Sequence, residues 1–397
     1  MAALLALLPG GNCLAQSSAP KRERSPSAST AEFSSISQRA MQALDADELD
    51  AAIPLFRRAL AMNPRWAEGW WSLGTTFYDQ NRYAEAALAF EKVIELDPKH
   101  GTAHGLLGLC QFELGDDAAA LHNIEISKTQ GTDIDPQLRD VILYHEGVLL
   151  QRMGRFVAAQ KSFASLCLGG GRSDELMRAF GMAALHMSDR KFPPQGSEAS
   201  QVVEVVGRGA CLAAYKDFDG AKEIFTHAVD TYPRFPFVHF AFGRELLDAR
   251  EIPSAVAQFK IEAEQSSDRV LSLLQIAAAE YKVNSAEGLP YARQAVSIAP
   301  KVPFAHFLLG LLLMDTGDYD KAVPELEIAS KGLQHEPKVF WSLSVAYGHV
   351  GRAQEAARAR TEFARLSQQA QQETQTASEA PDVQVNTSDG ASVVQHN

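Results

Sequence analysis

The sequence predicts an all-α solenoid of about eight antiparallel helix pairs, interrupted once near residues 188–200. Three observations lead there. Apolar residues recur at helical spacing in runs broken by short turns. The whole pattern then repeats at a fixed distance: Pro98 lies 34 residues after Pro64, and Ala52, Phe56 and Ala59 stand before the first proline as Ala86, Phe90 and Val93 stand before the second. A fixed period of this size marks a repeat array. Finally, 397 residues exceed what one hydrophobic core ordinarily serves, whereas a stack grows because each unit touches only its neighbours.

The clearest unit runs from Ala67 to Pro98. Trp70, Leu73, Gly74 and Phe77 form one helical stripe, Asn81 and Arg82 interrupt it, and Ala86, Phe90 and Val93 form the next before Pro98 closes the unit. This order of Trp, Leu-Gly, Tyr or Phe, Ala, Phe and Pro resembles the tetratricopeptide repeat. The resemblance implies a right-handed superhelix. It covers roughly residues 33–368.

The other units follow in order. The first, from Phe33 to Trp66, keeps its second helix in register, while Arg39 and Ala40 replace Leu-Gly. The third carries Leu107, Gly108, Ala120 and Ile124, with its closing proline displaced to Pro136. The fourth has Gly147, Ala159 and Phe163 and ends in Gly169-Gly170-Gly171, which suits a helix terminus. No strand precedes this glycine run and no G-K-[ST] follows, so it is not a phosphate loop. These units make an N-terminal block, 33–173.

Asp174 to Met187 reads as one further helix without a partner, with Gly181 at a close-packing position. Two prolines and a glycine then forbid a continuous helix through SDRKFPPQGSEAS. Three explanations fit this 174–201 segment: a lost helix, a bend between blocks, or a functional loop. Regularity returns in a C-terminal block, 202–368. There Gly209, Ala221, Phe225 and Pro233 begin the series, followed by a unit with Phe242, Gly243, Ala255 and Phe259. A weaker unit from Val270 is one residue short, the next has Leu309, Gly310, Ala322 and Leu326, and the last runs from Pro337 to about Leu366.

Small residues at the eighth position (Gly74, Gly108, Gly147, Gly209, Gly243, Ala277, Gly310) let the two helices of a pair approach, and Phe56, Phe90, Phe163, Phe225 and Phe259 fill the remaining space. Isolated helices this short are marginal in water, so stability is expected to come from stacking.

At the ends, MAALLALLPGGNCLAQ predicts a signal peptide over 1–15 with cleavage before Gln16, although no Lys or Arg precedes Leu4. Export to the periplasm or outside the cell is expected, with a cytoplasmic protein as the alternative. Gly10 and Asn12 disfavour lipid attachment at Cys13. Residues 16–32 read as a flexible leader and 369–397 as a disordered tail. No stretch approaches the ~20 apolar residues of a membrane helix.

Lys plus Arg number 37 against 49 Asp plus Glu, a net charge of −12, which disfavours a nucleic-acid partner. The four cysteines, Cys13, Cys110, Cys167 and Cys211, form no C-x-x-C pair, so neither a zinc site nor a disulfide framework is expected and the last three read as buried thiols. No hydrolase, metalloprotease or nucleotide-binding motif is present; no catalytic residue, cofactor or metal is expected. His100 falls in a turn, which separates it from His104 as a ligand pair. His104, His239 and His306 occupy the fourth position of their units and are expected to pack between repeats.

The resemblance implies a partner protein or peptide on the inner face, held by first-helix positions. Here these include Trp71, Tyr78, Phe112, Tyr144, Phe237, Phe240, Arg244, Phe304, Phe307, Met314 and Trp341. The Lys and Asn set with which some family members clamp a terminal carboxylate is absent from these positions, disfavouring that partner class. The expected function is a non-catalytic binding scaffold. The alternatives are an accessory subunit of an envelope enzyme or secretion machine, or a binder of a small apolar ligand.

Overall fold

A computed structural model describes residues 28–130 and 134–379 of the chain, and all regular structure among them is helical. The signal-peptide expectation and most of the leader lie outside the described residues. Two compact units divide at Leu96 and Asp97.

The first unit holds α1 (Ala28–Asp45), α2 (Leu49–Met62), α3 (Ala67–Asp79) and α4 (Tyr83–Leu96), in which α1 pairs with α2 and α3 with α4. The leader therefore ends earlier than expected, since α1 starts at Ala28. The first repeat is a complete pair because Ala40, fully buried, stands where six of the other units place glycine.

The second unit continues with the pairs α5 (Gly101–Glu113) and α6 (Asp117–Gln130), then α7 (Pro136–Arg152) and α8 (Phe156–Leu168). Next come α9 (Asp174–Ala184), α10 (Glu198–Ala214) and α11 (Phe218–Thr231), and then the pairs α12 (Val238–Asp248) with α13 (Ile252–Gln265) and α14 (Val270–Glu280) with α15 (Ser285–Ile298). The last pairs are α16 (Pro303–Asp315) with α17 (Tyr319–Gly332), and α18 (Pro337–His349) with α19 (Ala353–Glu379). Among the described residues this makes nine repeat pairs and one further helix, where about eight pairs were expected. The tail also differs: α19 runs on through residue 379 because no glycine or proline stops it. Residues 380–397 lie outside the described set.

The pairs close by one device. In eight of the nine, the turn bonds back five residues, as when Arg82 N–H donates to the Phe77 carbonyl at 2.9 Å and Asp217 N–H to Leu212 at 3.1 Å. The residue before each donor takes a left-handed backbone, glycine at Gly115, Gly154, Gly317 and Gly351 but Asp47, Asn81, Lys216 and Arg250 elsewhere. The exception is α14–α15, the unit that is one residue short, where Asn284 N–H reaches Glu280 instead.

A second recurring device ties four of the pairs to the turn before them. Trp70 donates its indole N–H to the Pro64 carbonyl at 2.8 Å. His104, His239 and His306 reach the equivalent prolines, Pro98, Pro233 and Pro300, through Nε2 at 3.3, 3.0 and 3.0 Å. Their Nδ1 atoms meet Asn123, Gln258 and Glu325 on the second helix. These buried imidazoles are structural, as their spacing predicts.

The helix expected to lack a partner is paired. α9 packs on α10 at backbone distance: a Cβ on Gly181 would stand 1.9 Å from the Val203 carbonyl oxygen, and one on Gly207 would stand 1.8 Å from that of Met177. The repeat pattern hides this contact because α10 already serves as the first helix of the pair with α11.

The expectation of no disulfide is likewise corrected. Cys167 of α8 and Cys211 of α10 are bonded, their Cα atoms 5.7 Å apart across 44 residues of sequence. Inserting α9 between two regular pairs brings them together, which linear spacing does not reveal. Cys110 remains a buried thiol whose pKa burial pushes up to about 12.

Candidate functional site

The predicted first-helix residues separate into several environments. In the first unit, Trp71 and Tyr78 are half-buried on α3, with ring centroids 5.8 Å from Phe90 and 5.7 Å from Tyr83. In the second, Phe240 and Phe307 are each 4% exposed and serve packing. Phe237 sits before α12 in a left-handed conformation (φ 64°), stacked on His186 at 4.7 Å, and burial, followed by the charge of Arg244, lowers the pKa of that histidine. Phe304 and Met314 are half-buried on α16, and Trp341 of α18 is 51% exposed.

Phe112 and Tyr144 are brought together. They line a cavity of about 270 Å³ whose other walls are α7, α9 and the segment after α9. Two successive first helices and the inserted helix therefore contribute: Phe112 and Glu113 from α5, Tyr144, His145, Val148 and Arg152 from α7, and Glu175, Ala179 and Met182 from α9.

The fourth wall is the interruption itself. Ser173 caps α9 by accepting from Leu176 N–H at 3.1 Å, and Ser197 caps α10 by accepting from Ser200 N–H at 3.2 Å. Between these helices Met187 to Gly196 forms a strap. Gln151 donates its amide to the carbonyls of Met187 and Asp189. Arg190 reaches Asp117 at 2.7 Å, and Arg178 lies over the Phe192 ring at 5.2 Å. Asp189, Arg190, Lys191 and Phe192 thereby face the cavity.

The walls are aromatic and the rim is charged. Arg152 lies 4.4 Å over the Phe112 ring and pairs with Asp117 at 3.3 Å. The Phe112 and His145 rings meet edge to face at 4.6 Å. Burial, ahead of every other influence, holds the His145 pKa below its ordinary value, so the ring is neutral near pH 7. Burial and a hydrogen bond to Glu175 push the Tyr144 phenol up, which keeps it a hydrogen-bond donor. Such a pocket offers stacking surface, a methionine and a set of fixed charges. It lacks a nucleophile paired with a base.

Sequence reasoning reached Phe112, Tyr144 and the interruption by separate routes. It missed Arg152, Glu175 and Met182, which become neighbours only when α9 stacks on α7.

Family models for the tetratricopeptide repeat match residues 38–100 and 72–123, and another matches 305–329. Residues 38–123 and 305–329 therefore carry tetratricopeptide repeats. The α5 wall of the cavity lies within the matched tetratricopeptide segment, whereas α7, α9 and the strap lie outside it. No curated protein matches the chain. Among solved structures, MamA is similar over 41% of this chain and 96% of its own, at 17% identity and a TM-score of 0.39. YrrB, described as a TPR protein with an unusual peptide-binding site, is similar over 42% of this chain and 86% of its own, at 14% identity and 0.37. Yeast Tom70 is similar over 85% of each chain, at 14% identity and 0.34.

Proposed function

We propose that this tetratricopeptide protein is a non-catalytic scaffold that seats an extended segment of a partner protein on its first-helix face, with the cavity between α5, α7, α9 and the strap as the anchoring point. One observation carries the reading: Phe112 and Tyr144 meet the strap at one cavity. Aromatic side chains give large contact area at small entropic cost, which favours their use in recognition. The mixed charges of the rim argue against a purely apolar small ligand.

Export of the chain is part of the proposal. Its support is the Cys167–Cys211 disulfide, a bond that persists in oxidising compartments and is rare in the cytosol. The anchoring role is tested by capture from extracts of the native host with wild type, Tyr144→Ala and Leu88→Ala, the last an outward residue that is 63% exposed. The captured partner should be lost with Tyr144→Ala and kept with Leu88→Ala; equal capture by all three would refute the placement.

A further inference from the structure

The strap that closes the cavity is held as a ligand is held. Pro193 and Pro194 fix their own backbones and keep Phe192 and Pro193 out of the helical region, so this stretch stays extended. Gln151, 4% exposed, gives its side-chain amide to the carbonyls of Met187 and Asp189. Carbonyls two residues apart face the same side of an extended backbone, which repeats every two residues. Farther along, Arg190 pairs with Asp117 at the start of α6, and the Phe192 ring lies under Arg178 of α9. Main-chain hydrogen bonds for affinity and side-chain contacts for specificity are the means by which proteins receive extended peptides.

The middle of the strap has little else to hold it. Of residues 188–196, only Pro194 takes part in a backbone–backbone hydrogen bond among the described residues, accepting from Ser197 N–H at 3.1 Å. Ser188 to Lys191 and Pro194 to Gly196 are exposed. The ends, by contrast, are fixed: His186 is clasped between Phe156 and Phe237, and Ser197 caps α10. At these anchors His186 and Gly196 take left-handed backbones, with φ of 55° and 79°, where the chain turns onto and off the cavity. A segment with few buried contacts opens at small free-energy cost.

We infer that the strap is a built-in stand-in for the partner. It lies over α7 and α9 in the free protein and is displaced by a segment of the same chemistry: an extended stretch with an aromatic residue, whose carbonyls take Gln151 and whose ring takes Arg178. This rests on the cavity being the anchoring point, and it adds what the partner must offer and what it must displace. The strap lowers the partner's apparent affinity by the fraction of molecules in which it is closed.

The probe is the strap itself, the acetylated and amidated peptide MSDRKFPPQG of residues 187–196, with a control peptide carrying Phe192→Ala. It is added to the full chain, disulfide intact and isotope-labelled, as wild type and as Arg190→Ala with Phe192→Ala. That double variant leaves Gln151, Asp117 and Arg178 in place. Binding is read from the Gln151 side-chain amide and the Met182 methyl resonances, and hydrogen exchange over residues 188–192 reports the strap. In the double variant the strap amides should exchange on the order of tenfold faster while thermal unfolding stays unchanged. The peptide should bind that variant on the order of tenfold more tightly than wild type, and the control peptide more weakly than either. In wild type, saturating peptide should move the chain's own strap resonances toward those of the variant. Equal affinity for the two chains, or unchanged strap exchange in the variant, overturns displacement. Equal binding of the control peptide overturns the aromatic requirement. No binding to either chain, with capture from extracts still lost in Tyr144→Ala, overturns the stand-in and leaves the anchoring point standing. No binding together with undiminished capture by Tyr144→Ala removes both.

Discussion

The ring of Phe225 lies against Gly209, one ring carbon 2.7 Å from the point where a Cβ on that glycine would stand. Phe163 meets Gly147 and Phe259 meets Gly243 in the same way, at 2.5 and 2.6 Å. All three rings are fully buried. Each pair is therefore locked by a large residue of its second helix seated on a missing side chain of its first.

This lock makes an energetic prediction. Phe225→Ala should cost ~3–5 kcal/mol by leaving a cavity. Gly209→Ala should cost about 1–3 kcal/mol by displacing the ring. Because the two residues touch, the double variant should cost less than the sum. Denaturant midpoints measure all three, and an unchanged midpoint for Phe225→Ala would mean that the ring does not support the stack.

The disulfide predicts both a labelling pattern and a stability change. In denaturant without reductant, Cys110 should alkylate while Cys167 and Cys211 should not. Replacing both bonded cysteines with serine should cost ~2–4 kcal/mol, as expected for closing a loop of this length. Alkylation of all three residues in protein from its native host would contradict the bond and remove the support it gives to export.

The turns predict a stabilising substitution. Lys216 holds φ 64° at a position that other pairs give to glycine. A left-handed backbone costs a residue with a Cβ roughly 1–2 kcal/mol. Lys216→Gly should therefore raise stability by about 0.5–1 kcal/mol after the entropy that glycine loses. Thermal unfolding reads the change, and a lowered midpoint would contradict it.

His186 predicts a pH dependence. Its ring lies between Phe156 and Phe237, with centroids at 4.5 and 4.7 Å, and burial, followed by the charge of Arg244, lowers its pKa to about 4 from 6.5. The unfolded chain binds a proton near pH 6.5 that the folded chain refuses until about pH 4. Its contribution to stability is thus complete above pH 6.5 and is lost as pH falls toward 4. Glu245, raised to about 8 first by burial and then by Asp248, has the opposite sign: it favours the fold below pH 4.5 and loses that contribution as pH rises to 8. The difference between wild type and His186→Asn isolates the histidine. Asparagine tolerates the left-handed backbone, so that variant should show a flatter stability profile from pH 6.5 to 4. Parallel profiles would show that His186 titrates normally in the fold.

The repeat pairs were legible because Leu-Gly, Ala and Phe recur at fixed offsets, and each offset has one packing role. The contact between Gly181 and Gly207 was not. Backbone packed on backbone leaves only two glycines as its mark, and only Gly181 stood out as a packing position. Position along the repeat led to Phe112 and Tyr144, yet the same rule pointed to Phe240 and Phe307, which the core uses. The rule gives the face of a helix, whereas exposure depends on how closely the next helix packs. Arg152 and Glu175 belong to the cavity through the stacking of α9 on α7, a tertiary event that no local pattern encodes.

The central claim, that a partner segment docks where α5, α7, α9 and the strap meet, is tested most directly by site-specific photo-crosslinking in the native host. A benzophenone amino acid replaces Tyr144 in one variant and the outward-facing Leu88 in another. The account predicts a discrete covalent adduct with a second protein from position 144 and none from position 88. An adduct from position 88 alone would place the partner on α4 of the first unit, away from the cavity, and contradict it.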